Sequence, residues 1–338
     1  MYVVPPYFVE LSGPVTVATG DPMWAFQQFK QSTYPGVWPH LDKEQILHDI
    51  AFRLSHASKL MGGQNCLSGG AAILFNLLRH NPFRYVRLCH SLYETGGFQT
   101  LRHRIQASEQ LRKTSMEQCW SSMPSQPSYR QAWLSEEIEL SLPISPVDWM
   151  VLMTLYDTQL SSFPPPPFMP FMPAVIAQHP KMTKPWQLKG WLMDLFGYRH
   201  ATYHHVHLQP SWWLLKRAKS AIAKGGVAIA LVNAERLIRG LSFDVTGDKT
   251  WDTLPKRPLA FSSHWHKLQP ATDEPFPLNY PDSWVTLTDI THIPSWHASV
   301  HSTHRFAFTL HLGQELIPVH VNRAAFQQNC WGIMLAKS

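Results

Sequence analysis

Charge is scarce in this chain. Of 338 residues only 15% are Asp, Glu, Lys or Arg, while 44% are hydrophobic and 12% aromatic. That balance excludes a chain disordered throughout and calls for a sizeable buried core. Cysteine is scarcer still, with Cys66, Cys89, Cys119 and Cys330 only and no C-x-x-C pair. Neither a disulfide framework nor a zinc ribbon is built that way, and reduced thiols in a cytoplasm are expected. No apolar run reaches the ~18–20 residues of a membrane helix. The N-terminal "MYVVPPYFVELSGPVTVATGD" lacks the positive n-region and apolar core of a secretory signal. Export from the producing cell is therefore expected to need no cleavable signal. No G-x-S-x-G elbow, H-E-x-x-H pair or phosphate-loop lysine is present. A serine hydrolase, a zinc peptidase and a nucleotide-binding loop are left without their signatures.

The net charge is +6, which raises nucleic acid as a partner. The cations are scattered, however, and the densest cluster is "LLKRAKS", Leu214 to Ser220. Without a basic patch alternating with aromatics, no nucleic-acid partner is expected. In "HATYHHVH", His200 to His207, His200 and His204 stand four apart. No carboxylate ligand accompanies them, so the reading is polar surface beside a helix end, with no metal and no cofactor.

Helical signals come first. Residues 1–40 read as extended and turn-rich, with six prolines from Pro5 to Pro39. "LDKEQILHDIAFRLSHAS" spaces Ile46, Ile50 and Leu54 for a helix. A second helix follows Cys66, with Ala71, Leu74, Phe75 and Leu78 on one face and Asn65 or Ser68 as its cap. "FRYVRLCHSLYETGGF" continues as a helix stopped by Gly96 and Gly97. "SPVDWMVLMTLYDTQ", "KPWQLKGWLMDLFGY" and "PSWWLLKRAKSAIAKGG" read as helices too. "SSFPPPPFMPFMP", residues 161–173, reads as a rigid surface loop. Beyond Gly226 the β-branched segments "GVAIALVN", "WVTLTDI", "RFAFTLHLG" and "LIPVHVN" take over. Helices followed by antiparallel strands define an α+β chain. A single unit over 1–338 is expected, with an extended and helical region at 1–60, a helical part at 61–220 and a β-rich part at 221–338.

Cys66 sits at a seam in "MGGQNCLSGGAAILFNLLRHN", between a Gly-rich lead-in and an apolar helix. A thiol there is either a small buried side chain or a nucleophile whose thiolate the helix terminus stabilises. A nucleophilic reading needs a histidine base and a group to orient it. "FSSHWHKLQPATDEPFPLNYPDSWVTL" supplies His264 and Asp282, with His266, His297 and His301 as other bases and Asn279 and Asp289 as other orienting groups. Gln64 is placed to donate to an oxyanion.

"QNCLSGGAA", "SHW" and "DSW" on a helix-then-sheet order resemble the papain-like cysteine peptidase and amidase superfamily. "CLSGGAAILFNLLRHNPFRYVRLCHSLYETG" and "ISPVDWMVLMTLYDTQ" are similar to bacterial papain-fold effectors linked to type VI secretion. The resemblance covers about residues 61–310 and rests on short motifs. It departs from the group's "CGPAA" in having Leu67-Ser68 after the cysteine, and from its "HWV" in having "HWH". A second segment, "SWV" at Ser283, competes for that alignment, and with it the base histidine is missing or comes from elsewhere. The resemblance implies a cysteine hydrolase, a peptidase, amidase or deamidase, exported as a toxin or effector. Cys66 is then the nucleophile, His264 the base, Asp282 its orienting group and Gln64 the oxyanion donor. A protein or peptidoglycan substrate, an immunity protein and a secretion-system component are the implied partners. The other class is a papain-fold binding protein that has lost the chemistry and engages a host or competitor protein.

Overall fold

A computed structural model describes residues 19–60, 67–100, 102–116, 118, 144–162, 183–238, 281, 283–294, 305–312 and 315–337. The first element corrects the extended reading of 1–40. Helix α1 (Pro22–Gln31) starts where Asp21 accepts a hydrogen bond from the Met23 N–H and Pro22 fills the first turn. Proline there pre-sets φ and gives up an N–H that would have had no helical partner. Helix α2 (Lys43–Ser55) follows, capped by Asp42. Helices α3 (Ser68–His80) and α4 (Pro82–Thr95) come next. Gly96, at φ 70°, ends α4 in the left-handed conformation that glycine adopts without cost. A small hairpin of β1 (Gly97–Gln99) and β2 (Arg104–Gln106) leads to the short α5 (Glu109–Lys113).

Helix α6 (Pro146–Ser162) runs two residues into the segment expected to be loop, and residues 163–173 lie outside the described part. Helix α7 (Pro185–Phe196) closes at Gly197. Strand β3 (His200–His205) is a second correction, because the histidine-rich stretch is an edge strand. Its burial does not alternate: Ala201 and His204, three positions apart and so on opposite faces, are both buried, while His200 and Thr202 are exposed. Helix α8 (Ser211–Ala223), β4 (Val227–Val232), the short α9 (Ala234–Ile238), β5 (Ser283–His292), β6 (Phe306–Leu312), β7 (Glu315–Val321), α10 (Arg323–Asn329) and β8 (Cys330–Lys337) follow among the described residues.

Among the described residues six strands form one antiparallel sheet in the order β3-β8-β4-β5-β6-β7. The class is α+β, as the sequence order implies. Both faces of the sheet are covered. Along β4, Val227, Ile229 and Leu231 join the core shared with α1–α4, α6 and α7, whereas Ala228, Ala230 and Val232 join the core beneath α8 and α10. All six side chains are buried, which is why β4 reads as an unbroken apolar run rather than an alternation.

One polar contact fixes the helical layer. Arg53 of α2 donates from Nε and from Nη2 to Asp148 Oδ2 at 2.9 and 2.6 Å, and Nη2 also reaches Ser145 Oγ at 3.3 Å. Asp148 is fully buried. Asp49 of α2 accepts the Val147 N–H, so α2 holds the first turn of α6 from two carboxylate–cation and carboxylate–amide contacts. The "DWM" and "YETG" motifs are thereby given structural work. Trp149 meets Trp38 edge to face, the Trp38 indole donates to the Leu92 carbonyl at 2.7 Å, and the Tyr93 carbonyl accepts the Val37 N–H.

Candidate active site

The start of α3 is where three distant segments meet. Ser68, expected as a cap, has its hydroxyl turned across the core instead. Its Oγ accepts the backbone N–H of Trp284, at the start of β5, at 3.1 Å. The Trp284 indole N–H donates to the carbonyl of Thr183 at 2.8 Å, just before α7. A Cβ added to Gly69 would lie 2.5 Å from the Thr183 side chain, so only glycine allows this approach. Tyr203 of β3 packs its ring edge against Trp284, with centroids 6.1 Å apart.

Further along the helix the same pairing continues in polar form. Asn76 donates to Thr286 Oγ1 at 2.7 Å and to the Ala72 carbonyl at 2.7 Å. His311, cross-strand partner of Thr286, stacks on Phe75 with centroids 3.7 Å apart. Its Nε2 lies 3.0 Å from the Ser58 carbonyl. Strand β5 is thus bonded to α3 at both Ser68 and Asn76, which fixes its register against the helix.

The electrostatics of the corner favour an anion. The N-terminal ends of α3 and α7 both lie beside the Gly69–Thr183 approach, each carrying the partial positive charge of a helix start. Lys184 is buried beside them, and burial pulls its ammonium pKa below the ordinary value. A thiolate or a developing oxyanion gains from such surroundings, whereas a neutral thiol does not.

Cys66, Gln64, His264 and Asp282 all lie outside the described residues, as do His266, Asn279, His297 and His301. In the chain, Cys66 comes two residues before Ser68 and Asp282 two residues before Trp284. The Ser68–Trp284 bond therefore joins the two segments that carry them. Of the two competing dipeptides, "SWV" heads the strand bonded to α3, and "SHWH" lies outside the described residues. Asp289 is exposed on β5. Five residues of strand separate it from Trp284, about 16 Å of extended chain, which removes it from this corner.

The other thiols are of a different kind. Cys89 and Cys330 are free and fully buried. Burial raises both thiol pKa values far above the usual range, partly offset at Cys89 by the Tyr85 hydroxyl and at Cys330 by a backbone hydrogen bond with Gly332. Among the described residues no three His, Cys, Asp or Glu side chains gather as a metal site. Nor is any described helix long and apolar enough to cross a membrane. Sequence reasoning missed Thr183 and Lys184 as parts of the corner, and held Trp284 only within the "DSW" and "SWV" motifs. Gly69-Gly70 after the cysteine was the available signal, since paired glycines on a buried helix face mark a close approach.

His311 gives this layer a measurable pH dependence. Burial lowers its pKa to about 4, opposed by the Ser58 carbonyl and assisted by Arg79. In the unfolded chain it titrates near 6.5. Its contribution is complete above about pH 6.5 and is lost as the pH falls toward 4, about 3 kcal/mol in all. Urea midpoints measured across that window should fall steeply for the parent and more shallowly for His311→Phe. Parallel curves would contradict the assignment.

Comparison of the chain with models of protein families, with curated proteins and with solved structures finds no match.

Proposed function

We propose that the chain is a cysteine-dependent hydrolase with a papain-like arrangement, acting on an amide bond of a protein or of peptidoglycan. The observation that supports this best is the Ser68–Trp284 hydrogen bond, which ties the helix following Cys66 to the strand following Asp282. In this reading the Cys66 thiolate attacks the carbonyl carbon and the Gln64 amide and a backbone N–H receive the oxyanion. His264, protonated by the thiol, passes that proton to the departing amine, leaving a thioester. Water then attacks with His264 as base, releasing the acid and restoring the thiol. Asp282 holds the imidazole in the tautomer that accepts from sulfur. An exported bacterial effector is the role that goes with the resemblance, and an immunity protein is its natural partner.

A second reading has one observation in its favour. Ser68, Thr183 and Trp284, which meet at the start of α3, are not imidazoles, and His205 lies one ring further out, 6.4 Å from the Tyr203 ring that packs on Trp284. A chain that also lacked His264 from the corner would be a binding protein on the same scaffold. Expression in a susceptible cell separates the two. The hydrolase requires growth inhibition that Cys66→Ala removes, and a folded, fully inhibitory Cys66→Ala protein rules it out.

A further inference from the structure

Helix α8 carries a surface that the proposed chemistry does not use. Between Asp194 and Glu235 the chain has no acidic residue. The inner side of α8, Leu214, Leu215 and Ala218, is buried in the core against the sheet. The outer side exposes Lys216, Arg217, Lys219 and Lys224. At ~100° per residue these cations fall within one arc of about 160°, together with the two tryptophans of the first turn. Trp212 and Trp213 are half-buried, and each holds the cation four residues on. The Lys216 ammonium is 5.1 Å from the Trp212 ring and the Arg217 guanidinium 4.6 Å from that of Trp213. Just ahead of the helix, Leu208 is 77% exposed, more than any other large hydrophobic among the described residues.

We infer that this face of α8, with Leu208 at its leading end, is a docking surface for an anionic lipid bilayer. The charge complementarity is plain, with four exposed cations on one face of the helix and no carboxylate on it. Three features choose lipid over other polyanions. The tryptophan ring faces are already covered by their own cations, so they are poor platforms for stacking bases. Three of the four cations are lysines, which protein–protein interface cores avoid. Leu208 gains nothing against a phosphate backbone, but it removes apolar surface from water at the headgroup–acyl boundary, where tryptophan also resides. Attraction of this kind is reversible and screened by salt.

Co-sedimentation of the full chain tests it, with vesicles of phosphatidylcholine alone and with vesicles in which part of the lipid is phosphatidylserine. The chain should pellet with the anionic vesicles only, and added salt should release it. Lys216→Ala with Lys219→Ala should weaken that partitioning about 30-fold, and Leu208→Ser about tenfold. All three residues are exposed, so circular dichroism and the thermal midpoint should stay at the parent values. Cys66→Ala should bind as the parent does, which keeps this result separate from the fate of the hydrolase reading. Equal pelleting with both vesicles, no pelleting, or parent-level binding by the double variant would overturn the proposal. So would a labelled DNA duplex or acidic protein that binds the parent but not the double variant while vesicles bind neither.

Discussion

A Cys66→Ala protein is expected to lose hydrolysis by on the order of 10⁴-fold or more while unfolding within about 0.5 kcal/mol of the parent. The two halves of that expectation rest on different groups. The helix that follows is held by Ser68 on Trp284, by Gly69 against Thr183 and by Asn76 on Thr286. None of those contacts uses the thiol. The proposed chemistry depends on it, because a methyl group has no electron pair for the carbonyl carbon and what the oxyanion donors alone supply is a small residue. Amide release and urea unfolding measured on one preparation check both halves. Activity lost together with a fallen midpoint would mean a structural cysteine.

Asp148→Ala should destabilise the fold by about 3–5 kcal/mol, far more than an average substitution. It leaves the Arg53 guanidinium buried without the carboxylate that receives two of its N–H groups. It also loosens α2 from the first turn of α6, beneath the Trp38–Trp149 contact. The double variant Arg53→Met with Asp148→Leu removes both charges and should recover more than half of the loss, since two buried apolar groups cost less than one orphaned ion. Urea titrations of the three proteins give the comparison. A single variant as stable as the parent would show the pair to be solvated in solution.

How far the sequence reveals this structure varies with what each element packs against. The buried helices and β4 were legible because one partner, the core, decides their pattern. Helix α1 was hidden by a run of prolines whose only helical use is at the first turn, where Pro22 sits. Strand β3 was hidden because it is a histidine-rich edge strand, buried in part on both faces, with no apolar alternation to read. Strand β8, between β3 and β4, begins directly at the end of α10 with no turn residue to announce it. At the candidate site, the glycines after Cys66 announced a close approach but not its partner. "SHW" and "SWV" offer nearly the same three residues. Strand β5 is placed by tertiary contacts, a serine hydroxyl and an asparagine amide of α3 that meet Trp284 and Thr286, and "SHW" lies outside the described residues.

The most direct measurement is the pH dependence of thiol alkylation in a native Cys119→Ser protein. Cys89 and Cys330 are buried with thiols held protonated, so Cys66 is the thiol left to react. A cysteine activated by a helix terminus and an imidazole should reach its full rate below neutral pH, and His264→Ala should move the midpoint upward. A midpoint at or above the ~8.5 of an ordinary thiol, unmoved by His264→Ala, would contradict the account.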